Sequence, residues 1–423
     1  MIVGGTVRVP GDKSLTHRAL LLGALAPGTS HVGGALTSLD ARSSARVLRQ
    51  LGADVSPLRP EAVVTISGHR RFRRPSARLD CGNSGTTTRL LLGLLAAHRF
   101  PATLTGDASL RRRPMRRVTV PLGLMGARFT ELAGRDGLPL EVRGGPLSPL
   151  RYEMPVSSAQ IKSALLLAGV AGNVEVALRE PHGRSRDHTE RLLRAFGYRV
   201  EDRDGWIEFA PTGRLEPFAM QVPGDPSSAA FLVGAAVLAE GGELRIAGVG
   251  LNPTRTGFLD VLGRMGAGAR VENVELCYGE PVGDLVVGPA ALAGTEVGAG
   301  EIPGLIDEIP MLAALASRAA GTTIFRQVGE LRVKESDRLG LIAANLRAVG
   351  ARAEVAGDDL RVDGVSPVPR GRVRTAGDHR LAMAFAVLGT LAGARVAVDD
   401  MACAAVSFPG FPATLRSIRR RRP

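Results

Sequence analysis

One pattern of polar and apolar positions recurs along the chain. A short start rich in Gly, Ser or Asp leads into about ten small or apolar residues, at 11–25, 82–96, 157–170, 224–238, 307–317 and 378–391. Such stretches predict helices buried on most sides, opened by a polar turn. A second marker follows at similar spacing, where an amphipathic helix runs through glycine into a strand. It is read at Gly52-Ala53, Gly126-Ala127, Gly197-Tyr198, Gly266-Ala267 and Gly350-Ala351, the glycine serving as helix C-cap. Each copy therefore reads as strand, buried helix, strands, amphipathic helix and strand, with the second half of the sixth copy truncated. A period of roughly 70 residues is long for a solenoid, so six units shared between two domains fit better.

The first turn of a helix presents unpaired N–H groups and a partial positive charge, which suit anions. Ordinary N-capping accounts for the Ser, Asp and Asn at these starts. It does not account for Lys13, Arg18, Arg89, Gln160 and Arg380 just inside them. If the starts face one cleft, several anion sites converge.

Composition sharpens this picture. At 423 residues the chain is long enough for two domains, and 44% hydrophobic with 22% charged residues is ordinary for a globular enzyme. No apolar stretch approaches a bilayer-spanning length, and no export signal is visible. Three cysteines, Cys81, Cys277 and Cys403, have neither metal nor redox spacing and suit a reducing cytoplasm. The net charge of +13 admits nucleic acid or small polyanions, but 4% aromatic residues leave little to stack on bases. Stretches 70–74 and 111–117 and the tail 419–422 concentrate basic residues, and solvated surface is the default reading for them, a frayed end for the last. Of 54 basic residues only Lys13, Lys162 and Lys334 are lysine. Each precedes an apolar helical run, so the choice of lysine points to a compact, tunable charge.

Arg338 and Arg380 could grip one planar carboxylate. Asp307 and Glu308 form an acidic pair at a helix start, where capping is the simple alternative, and Glu335 has cations on both sides in Lys334-Glu-Ser-Asp-Arg338. A carboxylate beside a substrate hydroxyl would act as general base. Motifs for P-loop NTPases, serine hydrolases and zinc proteases are absent. His182 and His188 lack metal-site partners, and His17 and His379 read as structural hydrogen-bonding groups.

Several blocks together, Gly11-Asp-Lys-Ser-Leu-Thr-His-Arg18, Asn83-Ser-Gly-Thr86 with Arg89, Ser158-Ala-Gln160, Ser185-Arg-Asp-His-Thr-Glu190, Asp307-Glu308, Lys334-Glu-Ser-Asp-Arg338 and Asp378-His-Arg380, resemble the signature of the 5-enolpyruvylshikimate-3-phosphate (EPSP) synthase family over nearly the whole chain. The resemblance implies an α/β (α+β) fold, a two-domain inside-out α/β barrel of six βαβαββ units, three per domain. Residues 1–11 and 224–423 would form one domain and 12–223 the other, with the active site in the interdomain cleft. That cleft would close on shikimate 3-phosphate. The implied reaction transfers the enolpyruvyl group of phosphoenolpyruvate to the 5-hydroxyl of shikimate 3-phosphate, releasing phosphate.

By the same resemblance, Lys13, Ser14, Arg18, Ser158, Gln160, Arg186, Asp307 and Lys334 bind shikimate 3-phosphate. Lys13, Gly85, Arg113, Gln160, Arg338 and Arg380 bind phosphoenolpyruvate. Asp307, Glu335 and Lys13 are catalytic, Asp307 taking the 5-hydroxyl proton and Glu335 serving the methylene carbon. A cytoplasmic monomer is implied, acting on small anionic substrates with neither metal nor organic cofactor, nucleic acid nor membrane. Two departures stand out. The stretch 405–409 lacks a lysine that some relatives carry, and Leu90 follows Arg89 where some have proline, so glyphosate sensitivity stays open. The alternatives are a UDP-N-acetylglucosamine enolpyruvyl transferase and a non-catalytic polyanion- or RNA-binding module.

Overall fold

The computed structural model describes residues 1–420 apart from Arg135, His182 and Ser366. It divides into two compact units: Met1–Pro10, Pro223–Leu276 and Pro281–Pro423 in the first, Gly11–Val222 and Cys277–Glu280 in the second. Each has a hydrophobic core of its own.

The second unit repeats one wiring three times. Leu79–Asp80 runs parallel to Pro101–Thr105, which is antiparallel to Leu140–Arg143, itself antiparallel to Arg128–Glu131. Leu150–Glu153, Val176–Arg179, Trp206–Ala210 and Arg199–Arg203 follow the same scheme. So do Gly28–Gly33, Val64–Gly68 and Asp54–Val55, but their parallel partner is Ala219–Gln221 from the far end of the unit. The last strand thus closes the first sheet.

The first unit uses the scheme again in Glu296–Val297, Thr322–Phe325, Asp359–Asp363 and Arg352–Ala356. Its largest sheet pairs Ile2–Val7 in parallel with Gly241–Gly250, followed by Glu280–Val287 and Arg270–Cys277. The final copy keeps only the parallel pair Arg370–Val373 and Arg395–Val398. The chain end differs from a frayed tail. Arg419 and Arg420 pair antiparallel with Val3 and Ile2, because the outer edge of Ile2–Val7 offers unpaired backbone groups and buried Ile418 anchors the approach. Residues 421 and 422 of that basic tail, like His182, lie outside the described residues.

Helices Lys13–Leu25, Gly85–Leu95 and Ala159–Gly172 bury most of their side chains in the second unit, as Pro226–Val237, Ile309–Ala316 and His379–Leu388 do in the first. Small residues permit this density: a Cβ on Gly93 would stand 2.0 Å from the carbonyl oxygen of Ala164. The amphipathic helices end alike. Gly52, Gly126, Gly197, Gly266 and Gly350 all have φ between +81° and +113°. The next residue then donates to a carbonyl five positions back, Ala53 to Leu48, Ala127 to Leu122, Tyr198 to Leu193, Ala267 to Leu262 and Ala351 to Leu346. This Schellman closure needs a left-handed residue, which glycine supplies without strain. No helix among the described residues is long and apolar enough to cross a membrane.

Candidate active site

In the second unit, Asp12 Oδ1 accepts a hydrogen bond from Leu15 N at 2.7 Å and fixes the first turn of the Lys13–Leu25 helix. Lys13 Nζ lies 3.2 Å from Asp40 Oδ2. One turn on, buried Arg18 donates from Nη1 to the Ser14 carbonyl (2.9 Å), from Nη2 to Ser163 Oγ (2.5 Å) and from Nε to Thr189 Oγ1 (2.7 Å). Three helices therefore hold one guanidinium. Burial pulls its pKa down to about 10, against the attraction of Glu190 and Asp12 and with a push from Arg186, so the group stays cationic at neutral pH. Arg186 precedes the His188–Ala195 helix and is half-buried. His17 is structural: Nδ1 lies 2.8 Å from Ser44 Oγ. Burial, reinforced by Lys13 and Arg18, lowers its pKa to about 3.

A second cluster surrounds Gly85, where Ser84 Oγ caps the Gly85–Leu95 helix through Thr87 N at 3.1 Å. A Cβ on Gly85 would come within 3.0 Å of Arg89 Nη1 and 3.3 Å of Arg113 Nη1, so glycine admits both guanidiniums to this backbone. Arg89 Nη1 donates to Gln160 Oε1 at 2.5 Å, and Gln160 Nε2 to Thr86 Oγ1 at 3.1 Å. Arg113 Nη2 donates to Asn83 Oδ1 at 2.8 Å. Arg111 and Arg112 are exposed, but Arg113 turns inward and is buried, correcting the solvated reading at that position. Ser158 is the N-cap residue of the Ala159–Gly172 helix, which supplies Gln160 here and Ser163 beside Arg18. Gly85, Arg113 and Gln160 thus meet at helix N-termini suited to an anion.

Lys162, grouped with Lys13 and Lys334 on sequence, has a different role. It is fully buried between Glu190 (2.8 Å) and Glu180 (3.0 Å). Burial disfavours its charge, but Glu190 and Glu180 more than compensate and raise its pKa. It is a fixed cation rather than a proton carrier.

The first unit gathers the acidic candidates around two arginines. Fully buried Arg338 donates from Nε to Asp378 Oδ2 (2.8 Å), from Nη2 to Glu335 Oε2 (2.5 Å) and from Nη1 to Asp307 Oδ1 (3.3 Å). Burial opposes its charge, yet Asp378, Glu335 and Asp307 outweigh it and lift its pKa above the ordinary guanidinium value. Arg380 Nη1 donates to the Asp307 carbonyl at 3.0 Å, and Nη2 lies 3.6 Å from Asp307 Oδ2. Asp378 accepts from Arg338, Ser336 Oγ (3.1 Å) and Arg380 N (3.0 Å). Despite burial, Arg338 keeps its carboxyl below the ordinary range. Glu308, the N-cap residue of Ile309–Ala316, makes no capping hydrogen bond through its side chain and accepts from Ser227 Oγ instead. Lys334 is half-buried, directly before Glu335.

Asp307, Glu335, Arg338 and Arg380 therefore form one network in the first unit; in the second, Arg18 is bonded to the Ser14 carbonyl in the helix that Lys13 opens, and Gly85, Arg113 and Gln160 gather at the start of the Gly85–Leu95 helix. Sequence reasoning gave no individual role to Asp378 or Arg89, although both stand inside quoted motifs. It missed Asp40 entirely, because that partner of Lys13 is 27 residues away and carries no local signal.

Comparison with known proteins agrees with this chemistry. The family model described as EPSP synthase (3-phosphoshikimate 1-carboxyvinyltransferase) matches residues 2–415. A 3-phosphoshikimate 1-carboxyvinyltransferase of Thermus thermophilus is 50% identical over 96% of this chain and 94% of its own. That of Desulforamulus reducens is 44% identical over 98% and 96%. The solved EPSP synthase of Acinetobacter baumannii superposes with a TM-score of 0.86 at 38% identity, covering 99% of this chain and 96% of that one.

Proposed function

This chain belongs to the EPSP synthase family, whose members move the enolpyruvyl group of phosphoenolpyruvate to shikimate 3-phosphate, and we propose that the clusters of its two units serve that one reaction. Lys13, Ser14, Arg18, Ser158, Gln160, Arg186 and Lys334 bind shikimate 3-phosphate. Lys13, Gly85, Arg113, Gln160, Arg338 and Arg380 hold phosphoenolpyruvate. Cations and helix N-termini offset the repulsion between two anionic substrates.

Asp307 takes the proton of the 5-hydroxyl as its oxygen bonds to C2 of phosphoenolpyruvate, while Glu335 delivers a proton to the methylene carbon. The product of this addition is a tetrahedral phospho-ketal. Loss of a methyl proton and of phosphate then restores the double bond. The observation that carries this assignment is the sharing of Arg338 by Asp307 and Glu335. A substrate carboxylate taking Arg338 replaces Glu335 there and frees that carboxyl to face the methylene carbon. Binding thereby prepares the acid. The enzyme acts as a cytoplasmic monomer on small anionic substrates, with no metal, organic cofactor, nucleic acid or membrane.

The test is phosphate release from phosphoenolpyruvate with shikimate 3-phosphate, beside UDP-N-acetylglucosamine as acceptor, for the wild type, Lys13→Ala and Glu335→Ala. Release with shikimate 3-phosphate alone, largely lost in both folded variants, is expected. Full activity in Glu335→Ala would remove that residue from the mechanism, and turnover of the nucleotide sugar would change the acceptor.

A further inference from the structure

The second unit holds a buried ion cluster that the reaction above does not use. Lys162 Nζ lies 2.8 Å from Glu190 Oε1 and 3.0 Å from Glu180 Oε2, and donates to the Ser185 carbonyl at 3.0 Å. Glu180 Oε2 also accepts from Ser185 N at 3.2 Å. Both peptide groups of Ser185 are therefore bound, one by a carboxylate and the other by an ammonium. The second is the planar bond leading into Arg186, so its orientation is fixed where that side chain leaves the backbone. Arg186 in turn is close enough to repel the charge of Arg18.

Burying three charges is costly, and apolar residues of similar volume would serve simple packing as well or better. The residue type is equally pointed. A chain that uses arginine for all but three of its 54 basic residues has lysine here. A compact ammonium can donate to Glu180 and to the Ser185 carbonyl while ion-pairing with Glu190 at 2.8 Å.

We propose that Lys162 and Glu180 clamp Ser185 and act as positioning residues for Arg186, aligning it for the phosphorylated acceptor. The inference rests on the reading that Arg186 binds shikimate 3-phosphate. It predicts a selective effect, on the KM for the acceptor rather than on kcat or the KM for phosphoenolpyruvate.

The experiment is steady-state kinetics, each substrate varied, on the wild type, Lys162→Met, Glu180→Met, Arg186→Ala and the doubles of each methionine variant with Arg186→Ala. Lys162→Met should raise the acceptor KM roughly tenfold, with kcat and the KM for phosphoenolpyruvate within about twofold. In the Arg186→Ala background the same change should add nothing, since the clamp acts through that side chain. Lys162→Met leaves two buried carboxylates without their cation, so it could fail to fold. Glu180→Met keeps Lys162 paired with Glu190 and carries the same test. An unchanged acceptor KM in the folded clamp variants, or effects that multiply with Arg186→Ala, would overturn the clamp. An Arg186→Ala enzyme with normal acceptor KM overturns it as well. A folded wild type with no turnover of shikimate 3-phosphate overturns the functional reading beneath it.

Discussion

At the scale of single residues, Arg338 shows why charge alone does not describe this protein. Its fork reaches Asp307, Glu335 and Asp378 from three different nitrogens, a geometry that a point charge cannot reproduce. Arg338→Lys should therefore keep the net charge and still lower kcat/KM for phosphoenolpyruvate by roughly 30- to 150-fold, or about 2–3 kcal/mol. A fall of less than about fivefold in steady-state assays would mean that the fork is dispensable. His17 makes the opposite point, since its value lies in staying neutral. Its pKa is about 3 in the folded chain because burial, Lys13 and Arg18 disfavour the imidazolium, against 6.5 for the unperturbed group. As pH falls from 6.5 toward 3 the unfolded state takes up a proton that the native state refuses, so stability is lost on acidification and present in full above that window. Between pH 7 and pH 5 this one group should cost about 2 kcal/mol. His17→Asn should lose that much less across the interval in urea unfolding, and an unchanged acid limb would assign it to other groups.

Elements divide into those that local chemistry announces and those that it does not. The five Gly closures were legible because a Schellman turn is made within six residues and needs only its glycine. The buried helices were legible for a related reason, as only an almost unbroken run of small and apolar residues can be covered on all sides. Pairings distant in the chain left no such trace. Ala219–Gln221 joins Gly28–Gly33 across nearly the whole second unit, and Lys162 meets Glu180 and Glu190 only after folding. At the candidate site the motifs identified which residues matter, while the bonds among them, such as Arg338 to Asp378 or Arg89 to Gln160, had to come from the structure. Packing between buried helices is testable by one methyl group. Gly93→Ala would drive a Cβ against the Ala164 carbonyl oxygen, and forced backbone movement should cost about 1–3 kcal/mol in chemical denaturation. Gly263, whose Cβ would meet nothing within 4 Å on the exposed side of an amphipathic helix, should accept alanine without loss. Equal costs at the two positions would mean that close helix contact is not what glycine provides at 93.

For the whole molecule, the division of labour between the two units is the feature with most consequence. Each unit has its own core; Lys13, Arg18, Gly85, Arg113 and Gln160 belong to one, and Asp307, Glu335, Arg338 and Arg380 to the other. Under the proposed function, a reaction that joins two anions would draw cations from both units and its proton-transfer carboxylates from the first. Native-state hydrogen exchange reads the idea directly. With shikimate 3-phosphate and phosphoenolpyruvate bound, amides at 13–18 and 159–163 in the second unit and at 334–340 in the first should all slow, while the sheet Trp206–Ala210 and Arg199–Arg203 should exchange as before. Since a ligand at 100 times its Kd stabilises what it binds by about 2.7 kcal/mol, local openings coupled to the site should slow by up to roughly 100-fold. Protection confined to one unit would show that the substrates engage that unit alone, and the carboxylate cluster around Arg338 would then need a different purpose.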